Sequence, residues 1–248
     1  ERLVNSCKIM QMDLKFTLEE TIKAAIETVK KNEYEECYIR PIAFRGYGDM
    51  GVFPKNNPIN LAIAVWPWGK YLGEEAFTKG ARIKTSSYTR YHPNTQLVKA
   101  KMGGNYANGQ LAKIEAIKDG YDEALLLTPE GYVAEGSGEN IFIVRNKILY
   151  TPFSVFALEG ITRDSIIHIA EDLNIKVVET ILSRDHIYIA DEAFFCGTAS
   201  EITPIRELDN RKIGTKVPGE ITLKIKNEFF RIIDGENPKY KEWLTYVS

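Results

Sequence analysis

Nothing in these 248 residues approaches the ~20 consecutive apolar positions that cross a bilayer. Neither sign of charge dominates: 32 lysines and arginines stand against 34 aspartates and glutamates, scattered along the chain. That balance argues against a polybasic surface for nucleic acid or membrane. Cysteine is scarce. Cys7, Cys37 and Cys196 cannot all pair within one chain and have no metal-ligand spacing, so buried thiols in a reducing, cytoplasmic setting are the simpler reading. No internal repeat or low-complexity tract is visible. No GxGxxG opens a helix after a strand; "GSG" at 136–138 leads instead into the strand pattern "ENIFIV". What the chain does have is 44% hydrophobic residues, enough for one large domain or two unequal ones.

The opening "ERLVNSCKIMQM" reads as helix without signal-peptide character. Residues 17–32 place Ile22, Ala25, Ile26 and Val29 at helical spacing, with Thr17 and Glu20 as a capping box. "CYIRPIAF" and "NLAIAVWPW" read as strands divided by "RGYGDMG", and "ARIKTSSY" as a third. "NGQLAKIEAIKDG" predicts a helix ending at Gly120. From Glu123 onward, strand-turn-strand patterns alternate with a helix over "GITRDSIIHIAEDL", a strand over "KVVETIL" and a late helix with Pro218 near its first turn. Strands outnumber helices and many are joined by hairpin-length turns, which favours α+β with mixed or antiparallel sheets.

Four stretches are rich in chemistry. In "KAKMGGNYANG", Lys101 stands before Gly103, Gly104 and Tyr106. A lysine attacks carbonyls when burial or a neighbouring cation frees its amine, whereas a surface lysine before a glycine turn needs no such role. In "EGSGEN", Glu135 is a glycine-flanked carboxylate at the mouth of an apolar strand; it reads equally as a polar hairpin loop or as a partner for a ring nitrogen. Gly160 precedes a helix start, leaving the amides of Ile161 and Thr162 as free donors for an anion. "CGTASEITP" offers small residues, free amides and the Thr198 hydroxyl. Singly, the last two are also ordinary caps and turns.

Together, "YIRP", "WPWGKYLG", "KMGGNY", "GYDEALLL", "EGSGENIFIV", "LEGITRDSI" and "LSRDHIYIADEAFFCGTASEITPI" closely resemble branched-chain aminotransferases, which are fold-type IV pyridoxal phosphate enzymes. The resemblance runs from about Glu1 to the end and implies a small α/β domain (residues 1–65), a linker (66–76) and a larger cofactor domain (77–248). By position in these motifs, Lys101 resembles the lysine that bonds the cofactor aldehyde. Tyr106 then serves the phenolic oxygen, Glu135 the pyridinium nitrogen, and Leu158 the ring face. The phosphate cup is implied to be Ile161, Thr162 and Thr198. For substrate, the resemblance implies the amides of Thr198 and Ala199, with Tyr38, Arg40, Trp68 and Tyr71 in the pocket. Arg40 suits a second carboxylate. Met50 and Val52 match a loop that enters a neighbouring subunit, so a homodimer or higher homo-oligomer is implied. Family members carry a segment before this chain's first residue, with an arginine that clamps the cofactor phosphate, so the small domain is expected to be incomplete here. Arg45 and Tyr47 receive no role. D-amino acid aminotransferases, amine transaminases and aminodeoxychorismate lyases share the fold and are the rivals, with a non-catalytic binding protein as a rival of another class.

Overall fold

The computed structural model describes residues 1–247. By its contacts the chain forms two units. One takes Glu1–Gly69, Lys99–Met102 and the chain from Tyr246; the other takes Lys70–Val98 and Gly103–Thr245.

The first unit contains α1 (Arg2–Ile9), α2 (Leu18–Asn32), β1 (Tyr38–Arg45) and β2 (Ile59–Trp66). The capping box starts α2 as its sequence requires: the Thr17 hydroxyl accepts from the Glu20 amide at 3.1 Å, and the Glu20 carboxylate accepts from the Thr17 amide at 2.8 Å. Strands β1 and β2 form an antiparallel pair with Tyr38 opposite Trp66 and Arg40 opposite Ala64. Pro41 is tolerated because a two-stranded sheet has only edge strands. Arg45, unassigned from sequence, ends β1, and its Nη2 donates to the carbonyls of Met10 and Gln11 at 2.8 and 3.3 Å, which holds the turn that follows α1.

The second unit contains α3 (Gly73–Lys79), β3 (Ala81–Thr85), α4 (Tyr106–Lys118), β4 (Glu123–Leu127), β5 (Val133–Gly136), β6 (Asn140–Arg145) and β7 (Ile148–Pro152). It continues with α5 (Ile161–Asp172), β8 (Val177–Thr180), α6 (Arg184–Tyr188), β9 (Glu192–Gly197), β10 (Glu201–Leu208), β11 (Arg211–Lys212) and α7 (Glu220–Ile233). Its strands, among the described residues, make one nine-stranded sheet in the order β5-β4-β3-β10-β9-β6-β7-β8, with β11 on β10. The β3–β10, β3–β4 and β7–β8 pairs are parallel and the others antiparallel. This is the mixed α+β arrangement that the strand-rich pattern implies.

Strand β6 explains why "IFIV" lacks polar alternation. Its successive side chains point to opposite faces, and both faces are buried. Ile141 and Ile143 join a core with Ile83, Leu125, Phe195 and Ile187. Phe142 and Val144 join another, with Phe194, Ile166 and Ile169 of α5 and Ile225 of α7. Two helices are not evident in the sequence pattern: α3, which begins within the expected linker and runs past its end, and the five-residue α6. Pro218 lies near the first turn of α7, as read, directly before the N-cap Gly219, and the Val217–Pro218 bond is cis. Cys7 and Cys196 are buried free thiols, but Cys37 is only half-buried, because it precedes β1 at the margin of a two-stranded sheet. Among the described residues no helix is long and apolar enough to cross a membrane.

Candidate active site

In the first unit, strand geometry assembles a cation and three aromatic rings. Tyr38 and Arg40, two residues apart on β1, share a face, and register brings Trp66 of β2 onto it. The Arg40 guanidinium carbon lies 5.2 Å from the Tyr38 and Trp66 ring centroids and 5.7 Å from that of Trp68. Trp68 lies 4.7 Å from Tyr38 and 5.5 Å from Trp66. The rings hold the planar cation and leave its edge free to fork onto a carboxylate.

Lys101 belongs to the same unit, its amide donating to Ser6 Oγ at 3.0 Å. Solvent reaches the side chain, yet surrounding protein strips water from the amine. That desolvation, reinforced by the positive charges of Arg2 and Arg40, brings its pKa from the ordinary 10.5 down to about 8. Val52 stands elsewhere. The β1–β2 connection carries Tyr47, Met50, Val52 and Phe53 with 100%, 99%, 104% and 78% of their surfaces exposed, so the structure brings Val52 to none of these groups.

In the second unit the remaining residues converge on the turn after β5. Glu135, the penultimate residue of β5, is 4% exposed. Its Oε1 pairs with Arg90 Nη2 at 2.6 Å, and its Oε2 accepts from the Leu158 amide at 3.1 Å and from Asn140 Nδ2 at 3.4 Å. Burial raises the carboxyl pKa to about 6 despite Arg90 and the Leu158 amide, which lower it, so the group is mostly ionised at neutral pH. Asn140 also donates to the Leu158 carbonyl at 3.0 Å. Its Oδ1 lies 2.1 Å from where a Gly160 Cβ would stand, so that glycine is needed for close approach.

Gly160 is the N-cap of α5 and offers no side-chain cap, which leaves the first-turn amides of exposed Ile161 and buried Thr162 to a ligand. Tyr106 opens α4; a Cβ at Gly138 would lie 3.9 Å from its Cε1. A Cβ at Gly197 would lie 3.9 Å from Gly138 O, so the Thr198–Ala199–Ser200 turn between β9 and β10 flanks the same feature. Tyr71 feels Glu139, Glu123 and Tyr106 and bonds Ser137; desolvation, with those acidic neighbours, drives its hydroxyl far above the phenol range. Glu139, buried beside Glu123, has its carboxyl pKa raised strongly by desolvation and then by that neighbour's charge.

Sequence reading missed Arg90, Asn140 as the brace between Glu135 and Leu158, and the Lys113–Glu123 pair at 2.7 Å. Asn140 had a signal, as the last residue of "EGSGEN". Arg90 had none, because its partner is distant in sequence.

The family model described as "Amino-transferase class IV" matches residues 1–208. The chain belongs to the class IV amino-transferases. Within that family it is similar to the branched-chain-amino-acid aminotransferase of Pseudomonas aeruginosa, 46% identical over 248 residues, covering 100% of this chain and 81% of the relative. The T.th. branched-chain amino acid aminotransferase, solved with pyridoxamine 5′-phosphate, superposes with a TM-score of 0.95 at 49% identity, over 100% of this chain and 81% of that one. The same protein complexed with N-(5′-phosphopyridoxyl)-L-glutamate gives a TM-score of 0.94 at 46% identity with the same coverage. Being a class IV amino-transferase also gives this chain its fold-type IV architecture.

Proposed function

We propose that this amino-transferase uses pyridoxal 5′-phosphate to move the amino group of L-leucine, L-isoleucine or L-valine onto 2-oxoglutarate, releasing branched-chain 2-oxo acids and L-glutamate. The observation that carries the proposal is a lysine amine depressed to about 8 in a chain similar over its whole length to branched-chain aminotransferases. The free thiols suit a cytoplasmic enzyme.

The residues present fit the cofactor. A carboxylate has about four lone-pair sites. Glu135, ionised at neutral pH and already braced by Arg90 and the Leu158 amide, suits a charged ring nitrogen. The uncapped first turn of α5 supplies the Ile161 and Thr162 amides for a phosphate, joined by the Thr198 hydroxyl. Leu158, whose amide and carbonyl are both engaged, presents a fixed side chain to the ring, and the Tyr106 hydroxyl serves the phenolic oxygen. When bound, the cofactor supplies an electron sink in its protonated ring.

The chain's own groups then divide the work. Lys101, about half neutral at pH 8, would hold the cofactor at its aldehyde carbon, and its amine would take the proton from the substrate Cα and return it. Thr198 and Ala199 amides receive the α-carboxylate. Arg40 forks onto the second carboxylate of glutamate, while Trp68, Tyr71 and Tyr106 give leucine an apolar wall. The exposed tip with Met50 and Val52 enters the pocket of a second copy, making a homodimer the minimum assembly. Residues 66–76 connect the small domain to the larger one.

Steady-state rates with leucine, isoleucine, valine, D-alanine and an (R)-amine against 2-oxoglutarate test the reading. Leucine is expected among the fastest donors and D-alanine near background. The reverse order refutes it.

A further inference from the structure

The turn between β9 and β10 is closed by a residue in an unfavourable conformation. Gly197 pairs with Glu201 across a three-residue turn, and Glu201 has φ +49°. This left-handed backbone crowds the Cβ of any side chain and is ordinarily left to glycine. Its side chain has a partner. Glu201 Oε2 lies 2.7 Å from Lys70 Nζ, with the two side chains 23% and 32% exposed. Lys70 is itself held, its amine 4.4 Å from the ring centroid of Phe77 on α3 and 5.7 Å from that of Phe230 on α7. Lys226 donates to the Phe77 carbonyl at 3.0 Å and feels the Glu201 charge without an ion pair to it. On the other side of the turn Thr203 Oγ1 donates to the Ser200 carbonyl at 2.7 Å.

We propose that the Lys70–Glu201 pair positions the Thr198–Ser200 turn and cancels the charge that Glu201 would otherwise set beside the substrate's α-carboxylate. This rests on the proposed role of the Thr198 and Ala199 amides. Glu201 follows an anion-binding turn directly, so its own negative charge opposes substrate binding unless a cation neutralises it. Lys70 supplies that cation and anchors the turn to the α3–α7 packing. Neither side chain touches substrate; both are positioning residues.

The pair predicts an ordering that a merely structural bridge does not. Lys70→Met strips Glu201 of its ion-pair partner and leaves only the longer-range charge of Lys226, whereas Glu201→Gly removes the carboxylate and suits the left-handed backbone. In the holoenzyme, Lys70→Met is expected to raise KM for leucine and 2-oxoglutarate, and the inhibition constant of 4-methylpentanoate, by about tenfold, with kcat changed less than about twofold. Glu201→Gly should raise them about threefold, and the double variant should match Glu201→Gly. Hydrogen exchange at the turn amides of residues 198–200, read without substrate, should quicken in Lys70→Met. Unchanged constants and exchange in Lys70→Met, whatever its melting temperature, overturn the proposal, as do additive effects in the double variant. A wild type inert towards leucine, with exchange still quickened in Lys70→Met, would defeat the functional reading and leave the positioning of the turn standing.

Discussion

The acid–base state of Lys101 gives the sharpest quantitative prediction. Lowering its pKa from 10.5 to about 8 raises the neutral fraction at pH 7 from a few parts in ten thousand to roughly a tenth, about 300-fold. Competitive acetylation of the cofactor-free protein across pH 6–11, followed by peptide mass spectrometry, reads each lysine's titration midpoint separately. Lys101 should titrate near pH 8 and solvent lysines above 10. Lys226, also depressed to about 8 because burial and Lys70 outweigh the pull of Glu201, is an internal comparison. Removing the Arg40 charge with Arg40→Gln relieves one repulsion on the Lys101 ammonium. Its midpoint should therefore move up while that of Lys226 stays. A Lys101 midpoint with the solvent lysines, or one indifferent to Arg40, refutes the reasoning.

Other outcomes follow from the same geometry. Folding raises the Glu135 pKa from the ordinary 4.5 to about 6, so its contribution to stability is fullest below pH 4.5 and is lost as pH rises through 6. Arg90→Met strands this buried carboxylate. Urea denaturation should show a loss of about 3–5 kcal/mol at pH 8 that shrinks at pH 5, and equal losses at both contradict the pairing. A Cβ at Gly109 would stand 2.1 Å from the Ser137 carbonyl oxygen. Gly109→Ala should then cost about 1–3 kcal/mol and weaken cofactor retention, against the gain such a change gives in an open helix. Charge on the bare hairpin tip, as Met50→Asp with Val52→Asp, should lower the sedimenting mass to that of one chain; an unchanged mass denies that tip an interface role.

Features fixed by neighbours in the chain were legible from sequence. The Thr17–Glu20 capping box needs only four residues, and its hydrogen bonds formed as read. Strand β6 could be read because four successive apolar residues at a glycine-rich turn fit burial on both faces. Features that depend on distant partners were not. Arg90 meets Glu135 only after β4 and β5 have paired, and Arg45 meets Met10 across the first unit. Helix α6, five residues long, is too short to show a period. The pattern of candidate residues was visible in the motifs; what braces each of them was not.

The central claim is that one amine out of many holds the cofactor. Pyridoxal 5′-phosphate added to the cofactor-free protein, trapped with borohydride and mapped by peptide mass spectrometry, tests it directly. The account predicts a single phosphopyridoxyl group on Lys101 that disappears in Lys101→Ala. A label on Lys226, whose amine is equally softened, or label persisting in Lys101→Ala, would contradict it.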